Sequence, residues 1–227
     1  MNEIQNIFTR IYQAGKQTIA TGKRVRGSWS STETVSGVGS ELASTVAVRE
    51  KIPPLFKELN IHRVLDVGCG DFNWMQKLVP GFDYYFGVDV VPALIKSNRE
   101  KYGSENVHFH CGYIQNMDVA FSDFDIVVLN DVLVHLPFKE IFSILQHLKA
   151  SGVTYVLMTH FTQHPRNVEA VIGGWRKLRL NIEPFNLPNP LLSLTYDRER
   201  HPTKSHEINR EARDKTLSLW KFEDIIV

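Results

Sequence analysis

The sequence lacks long apolar runs, and this absence limits where the protein can act. No stretch approaches the roughly 18 uninterrupted apolar residues that a membrane helix needs, so we expect no membrane insertion. The first residues contain no basic region followed by an apolar run, so we expect no signal peptide. The two cysteines, Cys69 and Cys111, are too few for a secreted disulfide scaffold. Together these features predict a cytoplasmic protein.

The sequence also has little net charge. The formal value is +1, which gives no overall field for nucleic acid or for an acidic membrane surface. The basic stretch at residues 23–26 carries three cations without interleaved aromatic residues, which favours a solvated segment over a nucleic-acid site. The nine histidines are scattered without the spacing of metal ligands, so no metal site is predicted.

The first 40 residues differ in pattern from the rest of the chain. Ile4, Ile7, Phe8, Ile11 and Tyr12 recur at helical spacing and predict an amphipathic helix that ends near Gly15 or Gly22. Residues 21–40, called the arm below, are rich in Gly, Ser and Thr and predict a flexible segment that could act as a lid. We therefore expect two parts, residues 1–40 and a main domain at 41–227.

From residue 61 onward, strand and helix patterns alternate. Apolar strands are predicted at 62–67, 84–88, 107–110, 126–129 and 153–158, and helices at 73–79, after Pro92 and after Pro137. Two later strands, near 191–196 and 216–222, are separated by about twenty polar residues and predict an antiparallel pair with an inserted loop. The fold class is α/β: a doubly wound, mostly parallel seven-stranded sheet with an antiparallel C-terminal edge strand and an N-terminal helical arm.

The most informative motif is the turn after the first predicted strand, where Asp66 is followed by Gly68 and Gly70. Glycines there let the backbone turn sharply and let a ligand approach without a Cβ in the way. The predicted helix that follows would point free N–H groups at a carboxylate or phosphate. The alternative is a tight turn with no ligand.

A second acid supports the ligand interpretation. Asp89 ends the next predicted strand, 19 residues after Gly70 (89 − 70), where an acid accepts hydrogen bonds from a ribose diol. The alternative for Asp89 is a cap for the helix at Pro92. The dinucleotide fingerprint fails because Asn73 stands at the third glycine position, and Asp66 would repel a pyrophosphate. An acid at that point suits a ligand with an ammonium and a sulfonium group, which favours S-adenosylmethionine (SAM).

These motifs resemble those of the class I SAM-dependent methyltransferases. The run from Leu65 to Gly70 looks like the first motif of that superfamily, and Gly87-Val88-Asp89 looks like the second. More narrowly, the LDxxCGDFNWM and LVHL motifs resemble a little-characterised bacterial methyltransferase group, as do the Ser-Gly-x-Gly-Ser arm and the Trp-Arg and Pro-Phe-Asn-x-Pro stretches. The resemblance implies that residues 41–227 form a methyltransferase domain and that the cofactor is SAM, with S-adenosylhomocysteine (SAH) as product.

The resemblance also implies a cofactor site at the ends of the first four strands. The residues predicted to bind SAM are Asp66, Gly68, Cys69, Gly70, Phe72, Asn73, Trp74, Asp89, Val90, Tyr113, Ile114 and Asn130. The sequence departs from the superfamily at Tyr113, which stands where an acid usually meets the adenine amine. Tyr113 either stacks on the adenine, with Ile114 and Gln115 as alternative contacts, or is a core or rim aromatic; both alternatives stay open.

The loop after the fourth predicted strand carries the catalytic candidates. Asp131 and His135 are expected to face the methyl group or its acceptor, with His135 as a general base. The alternatives for His135 are a cap of the helix at Pro137 or packing beside the cofactor. His160, at the end of the fifth strand, is a second candidate base.

The acceptor site is predicted less closely than the cofactor site. Candidate acceptor-binding residues are Trp29, Ser36, Trp175, Arg176, Phe185 and Asn186, although Trp175 and Phe185 can equally be core residues. Arg24 or Arg26 could help to close a lid over an anionic acceptor. The expected function is methylation of an oxygen or nitrogen of a small molecule, sugar or head group. The alternatives are a nucleic-acid or protein methyltransferase, which charge and motifs disfavour, and a SAM-binding protein without catalysis.

Overall fold

The computed structural model describes residues 3–31, 33–117, 121–196 and 213–226. Within these ranges the α-helices are α1 (Glu3–Thr21), α2 (Leu42–Glu58), α3 (Pro92–Tyr102) and α4 (Phe138–Ala150). The strands are β1 (Arg63–Val67), β2 (Tyr84–Asp89), β3 (Val107–Cys111), β4 (Ile126–Leu129), β5 (Tyr155–Phe161), β6 (Leu192–Thr195) and β7 (Lys215–Lys221). None of the described helices is both long and apolar enough to cross a membrane.

The strands form one sheet in the order β3-β2-β1-β4-β5-β7-β6. Strands β1 to β5 pair in parallel, and β7 pairs antiparallel with both β5 and β6. The predicted seven-stranded, mostly parallel sheet with an antiparallel C-terminal strand is confirmed. The antiparallel strand is β7, which lies between β5 and the edge strand β6. In agreement with these positions, β7 is buried on both faces, whereas β6 exposes alternate residues. The loop predicted between them falls largely at 197–212, outside the described residues.

Helices cover both faces of the sheet. On one face α4 buries Ile141, Ile144, Leu145 and Leu148 against Leu65, Val127 and Leu129. On the other face α2 and α3 pack on the strand residues that point the opposite way, such as Val64, Ile126 and Val128. This alternation follows from the two-residue period of a strand, and burial of both faces explains why β4 is apolar throughout.

The segment after the glycine turn differs from its prediction. Residues 73–79 were expected to be helical, but they contain short 3₁₀ turns at Met75–Lys77 and Val79–Gly81 instead. Pro80 limits the segment to about two turns, and so short a helix gains few i→i−4 hydrogen bonds. The helix on which the predicted anion site depended is therefore absent from this segment.

Candidate active site

The glycine turn joins β1 to the end of β2. Gly68 and Gly70 have φ values of 75° and 55°, in the left-handed region that favours glycine. The backbone N–H groups of Gly68 and Cys69 donate to the Val88 carbonyl oxygen, at 2.7 and 3.0 Å. These bonds fix the turn at the carboxyl ends of two adjacent parallel strands.

Both glycines are required by close approaches within the chain. A Cβ on Gly68 would lie 2.5 Å from Val132 Cγ2, and one on Gly70 would lie 2.2 Å from Ser36 Oγ. The sequence suggested that a ligand takes this space above Gly70. The structure corrects that interpretation, because a side chain of the arm lies there.

Asp89 ties the turn to the start of α3. One carboxylate oxygen accepts the Gly70 N–H at 3.2 Å and the other accepts the Val91 N–H at 3.0 Å. Burial raises the pKa of this carboxyl above its usual range, although the backbone hydrogen bonds oppose the shift. A carboxylate has about four lone-pair sites, so Asp89 keeps the capacity to accept further hydrogen bonds from a ligand.

Asp66 is a second buried acid beneath the same turn. Burial raises its pKa to about 7, against the lowering effect of the Tyr85 hydrogen bond and with a further increase from the nearby Asp89 charge. The Tyr85 hydroxyl donates to Asp66 Oδ2 at 2.7 Å. Tyr85 was not predicted from the sequence because it lies near the start of the apolar strand β2, where an aromatic residue indicates only core packing.

The end of β3 forms another wall of the cavity. Tyr113 and Ile114 both line it, and the Tyr113 hydroxyl donates to the Glu140 carboxylate at the start of α4. Tyr113 is therefore a wall residue with an anchored hydroxyl. Nearby, Gln5 Nε2 of α1 donates to the Val90 carbonyl oxygen at 3.0 Å, which attaches α1 to the same end of the sheet.

Asp131 follows β4 in a left-handed conformation with a φ of 56°. Its N–H donates to Thr159 Oγ1 at 2.7 Å, and its carboxylate forms an ion pair with the Lys215 ammonium. The Lys215 side chain is 4% exposed and that of Asp131 is 23% exposed, so the lysine end of the pair is buried and the carboxylate end is partly open. Lys215 could not be predicted from the sequence, because β7 follows the loop after β4 by about eighty residues.

His135 stacks on an aromatic side chain of the arm. The rings of His135 and Trp29 are 3.9 Å apart with an interplanar angle of 18°. His135 Nδ1 lies 2.6 Å from the Gly174 carbonyl oxygen. Since a carbonyl only accepts, Nδ1 carries the hydrogen, and Nε2 is the nitrogen that can accept a proton. Burial lowers the pKa of this imidazole to about 4, so the ring is neutral near pH 7. The hypothesis that His135 caps α4 is wrong, because no side chain caps that helix.

The arm is held over the cavity by Asp71, the residue after the glycine turn. Thr34 Oγ1 donates to both carboxylate oxygens at 2.8 Å, and Ser36 Oγ donates at 2.9 Å. The Val35 N–H adds a bond of 3.0 Å. Ser28, Ser30 and Thr34 are buried, which corrects the expectation of an unpacked arm for residues 28–40. The Ser and Thr side chains that indicated flexibility in the sequence form hydrogen bonds within the protein instead.

One cavity at the carboxyl ends of the strands brings most of the predicted residues together. The predicted residues that line it are Asp66, Gly68, Cys69, Gly70, Trp74, Asp89, Val90, Tyr113, Ile114, Asn130, Asp131, His135, Trp29 and Ser36. Side chains of α1 complete the wall, namely Ile4, Phe8, Ile11 and Tyr12. Their helical spacing was visible in the sequence, but it indicated only a packing face.

Three other predicted site residues, near the turn and at the end of β5, lie outside the cavity wall. Phe72 packs among core aromatic rings, with Phe109 at 5.0 Å. Asn73 donates to the Ser40 carbonyl oxygen at 2.9 Å and so supports the arm. His160 is buried, and its Nδ1 accepts the Leu180 N–H at 3.1 Å. None of the three lines the cavity, so His160 is withdrawn as a candidate base.

The predicted acceptor-binding residues after β5 also lie outside the cavity wall. Arg176 is buried and donates to the carbonyl oxygens of Leu133, Leu136 and Val168 at 2.9, 2.5 and 3.1 Å. It therefore fastens the loop that carries His135. Burial lowers the pKa of its guanidinium to about 10.

The other three predicted acceptor-binding residues after β5 do not line the cavity either. Phe185 packs on Phe138, with ring centroids 5.2 Å apart. Trp175 is half exposed, and Asn186 is a turn residue with a φ of 49°. Arg24 and Arg26 are exposed and do not line the cavity, which favours the solvated interpretation of the basic stretch.

Comparisons with known proteins agree with this geometry. Residues 64–152, less than half of the chain, match the family model described as "Methyltransferase domain". Residues 64–152, which contain the glycine turn and Asp89, therefore form a SAM-dependent methyltransferase domain. Curated protein sequences gave no significant match.

The solved structures that match this chain share little sequence with it. The methyltransferase domain of bacterial CtHen1 is 18% identical with a TM-score of 0.45; the match covers 50% of this chain and 65% of that one. CalS10, an amino pentose methyltransferase from Micromonospora echinaspora, is 20% identical with a TM-score of 0.43; the match covers 49% of this chain and 48% of that one. The N-methyltransferase NodS from Bradyrhizobium japonicum, in complex with SAH, is 16% identical with a TM-score of 0.41; the match covers 49% of this chain and 61% of that one. The chain thus spans less than two thirds of the length of each.

Proposed function

We propose that this chain transfers the methyl group of SAM to an oxygen or nitrogen atom of a small-molecule acceptor. One observation carries the proposal: a single cavity joins the glycine turn and two buried acids to the Asp131 and His135 side. In doubly wound sheets, ligands bind beyond the carboxyl ends of the strands, where this cavity lies.

The acids of the cavity fit SAM. A cation beside Asp66 would favour the ionised form of a carboxyl whose burial has raised its pKa to about 7. We assign the ammonium group of the cofactor to Asp66, the ribose hydroxyls to Asp89, and the adenine to the walls formed by Val90, Tyr113 and Ile114. When bound, SAM supplies an electrophilic methyl group on a sulfonium.

The chain's own contribution is positioning, exclusion of water and control of one proton. Holding two reactants in line can supply several kcal/mol of the barrier. We assign proton acceptance to His135 Nε2, because Nδ1 is engaged by Gly174. Asp131, held by Lys215 and Thr159, would orient the acceptor's polar group. The arm and α1 cover the reacting atoms.

The test is a calorimetric titration of the purified protein with SAM and SAH, followed by an assay for SAH formation with a small-molecule extract of cells. We expect micromolar binding of both ligands and release of SAH that depends on the extract. Binding without release would support a SAM-binding protein that lacks catalysis. Failure of both ligands to bind would contradict the cofactor site.

A further inference from the structure

The part of the cavity next to His135 is lined mainly by apolar side chains, and this limits the kind of acceptor that can bind there. We propose that the acceptor is an uncharged, largely apolar molecule, held between α1 and the stacked rings of Trp29 and His135. The inference rests on the proposed function, because it describes the second substrate of the same site. Its evidence is independent of the cofactor motifs and comes from the wall residues and their charges.

The wall on this side is apolar. Phe8 of α1 packs edge-on against Trp29, with ring centroids 5.6 Å apart and an interplanar angle of 71°. Ile11, one turn further along α1, lies close to Gly173, where an added Cβ would come within 3.0 Å of it. Leu136 and Ile144 complete this side. Phe8 and Ile11 are only half-buried, so a bound molecule can cover apolar surface that the chain leaves open.

The described part of the wall offers no lysine or arginine to an anionic acceptor. Among the described residues that line the cavity there is no lysine or arginine, whereas Asp66, Asp89 and Asp131 all line it. Arg176, the one cation in the predicted acceptor site, is committed to backbone carbonyl groups. An anionic molecule would therefore meet carboxylates and apolar side chains, and burying its charge there is costly.

Lys215, a described cation that contacts a residue of the cavity wall, is already paired. Lys215 forms its ion pair with Asp131, which lines the cavity, and its ammonium also lies over the Tyr196 ring at 4.2 Å from the centroid. Using Lys215 for an anionic acceptor would break this pair and remove the positive charge that lies against the Asp131 carboxylate. Within the pair the two charges oppose each other, so Lys215 is not available to an anionic acceptor while the pair persists.

A neutral acceptor with one polar handle matches the remaining groups. The neutral His135 ring has one nitrogen that can accept, Nε2, and an acceptor hydroxyl or amine N–H can donate to it. The rest of the molecule would lie on Phe8, Ile11 and Trp29. A planar aromatic alcohol is therefore the simplest probe of this site.

The experiment compares two probes that share the naphthalene ring system and differ in the charge of the substituent. The protein is first saturated with SAH, and 2-naphthol or 2-naphthoate is then titrated by calorimetry at pH 7. We expect 2-naphthol to bind at least about tenfold more tightly than 2-naphthoate. Equal or tighter binding of the naphthoate would overturn the proposal, and so would binding of neither probe. Failure of SAH itself to bind would instead contradict the proposed function.

A charge placed in the wall provides a second test. We expect Ile11→Lys to reverse the preference, so that 2-naphthoate binds more tightly than 2-naphthol. The matched control is Ile19→Lys, an exposed position on the same helix that does not line the cavity; it should keep the wild-type ratio. A reversal in the control, or none in an Ile11→Lys protein that still binds SAH, would count against the proposal. If Ile11→Lys loses SAH binding, the wild-type ratio decides.

Discussion

The two sides of the cavity are built in different ways. The cofactor side is formed mainly by one short stretch, from Asp66 through the glycine turn to Val91, together with the end of β3. The acceptor side is assembled from α1, the arm and the loop after β4, with Lys215 of β7 behind it. The first side is acidic and fixed by backbone hydrogen bonds, whereas the second is apolar and fixed by side-chain contacts between distant segments.

This difference predicts whether a substitution affects SAM binding, methyl transfer or both. A residue of the cofactor side acts within its own stretch, so its loss should affect SAM binding and leave the acceptor wall intact. A residue of the acceptor side should affect transfer while SAM binding persists. Asp71 is the exception, because it joins the glycine turn to the arm, and its loss should affect both sides.

The largest effect is expected for Asp89→Ala on the cofactor side. The change removes the proposed ribose partner and the bonds to Gly70 and Val91, so SAM affinity should fall at least about a hundredfold, or about 3 kcal/mol. Calorimetry would measure it. The matched control is Asp83→Ala, because Asp83 lies at the opposite end of β2 and is mostly exposed. Unchanged SAM affinity in Asp89→Ala would remove Asp89 from the site.

His135→Ala should show the opposite pattern. We expect SAH formation to fall about thirtyfold, which is less than the roughly hundredfold or more typical of a general base, because an imidazole with a pKa of about 4 is a weak base. SAM affinity should change less than about twofold. Turnover with a small-molecule extract and calorimetry on the same samples would separate the two effects. The control is His108→Ala, an exposed histidine on β3. Normal turnover would make His135 a structural residue.

Asp71→Asn should weaken the attachment of the arm to the glycine turn. An amide nitrogen cannot accept the Thr34 and Ser36 hydroxyl hydrogens, so the arm should open more often. We expect trypsin to cleave after Lys23, Arg24 or Arg26 about tenfold faster, and SAM to bind about fivefold more weakly. Asp83→Asn serves as the control. Unchanged cleavage would show that apolar packing alone holds the arm.

The smallest effect concerns a proton on Asp66. Because the pKa of this carboxyl is raised to about 7, it is largely protonated at pH 6, and a bound cation should drive the proton off. Titrations at pH 6 in buffers of different ionisation enthalpy should show about half a proton or more released per SAM. Asp66→Asn should abolish that release. A release that persists in the variant would locate the proton elsewhere.

The pattern of confirmed and corrected predictions follows the same division. Asp66, Gly68, Gly70 and Asp89 were found in the sequence because a strand, a tight turn and a strand end are local features. The acceptor candidates Arg176 and Phe185 were placed wrongly, because a polar or aromatic residue in irregular chain has no local signal for the surface it faces. Lys215 was missed for a related reason, since its partner Asp131 is distant in the chain.

The sequence by itself determined the class of fold, the order of its repeated units and the turn at the end of β1. Hydrophobic periodicity and glycine chemistry act over a few residues, so they can be read without tertiary contacts. Only the tertiary structure decided that the polar arm packs on Asp71, that α1 closes the cavity, and that Lys215 neutralises Asp131. Those contacts depend on segments brought together by folding of the whole sheet, and burial then set the charge states that distinguish the two sides.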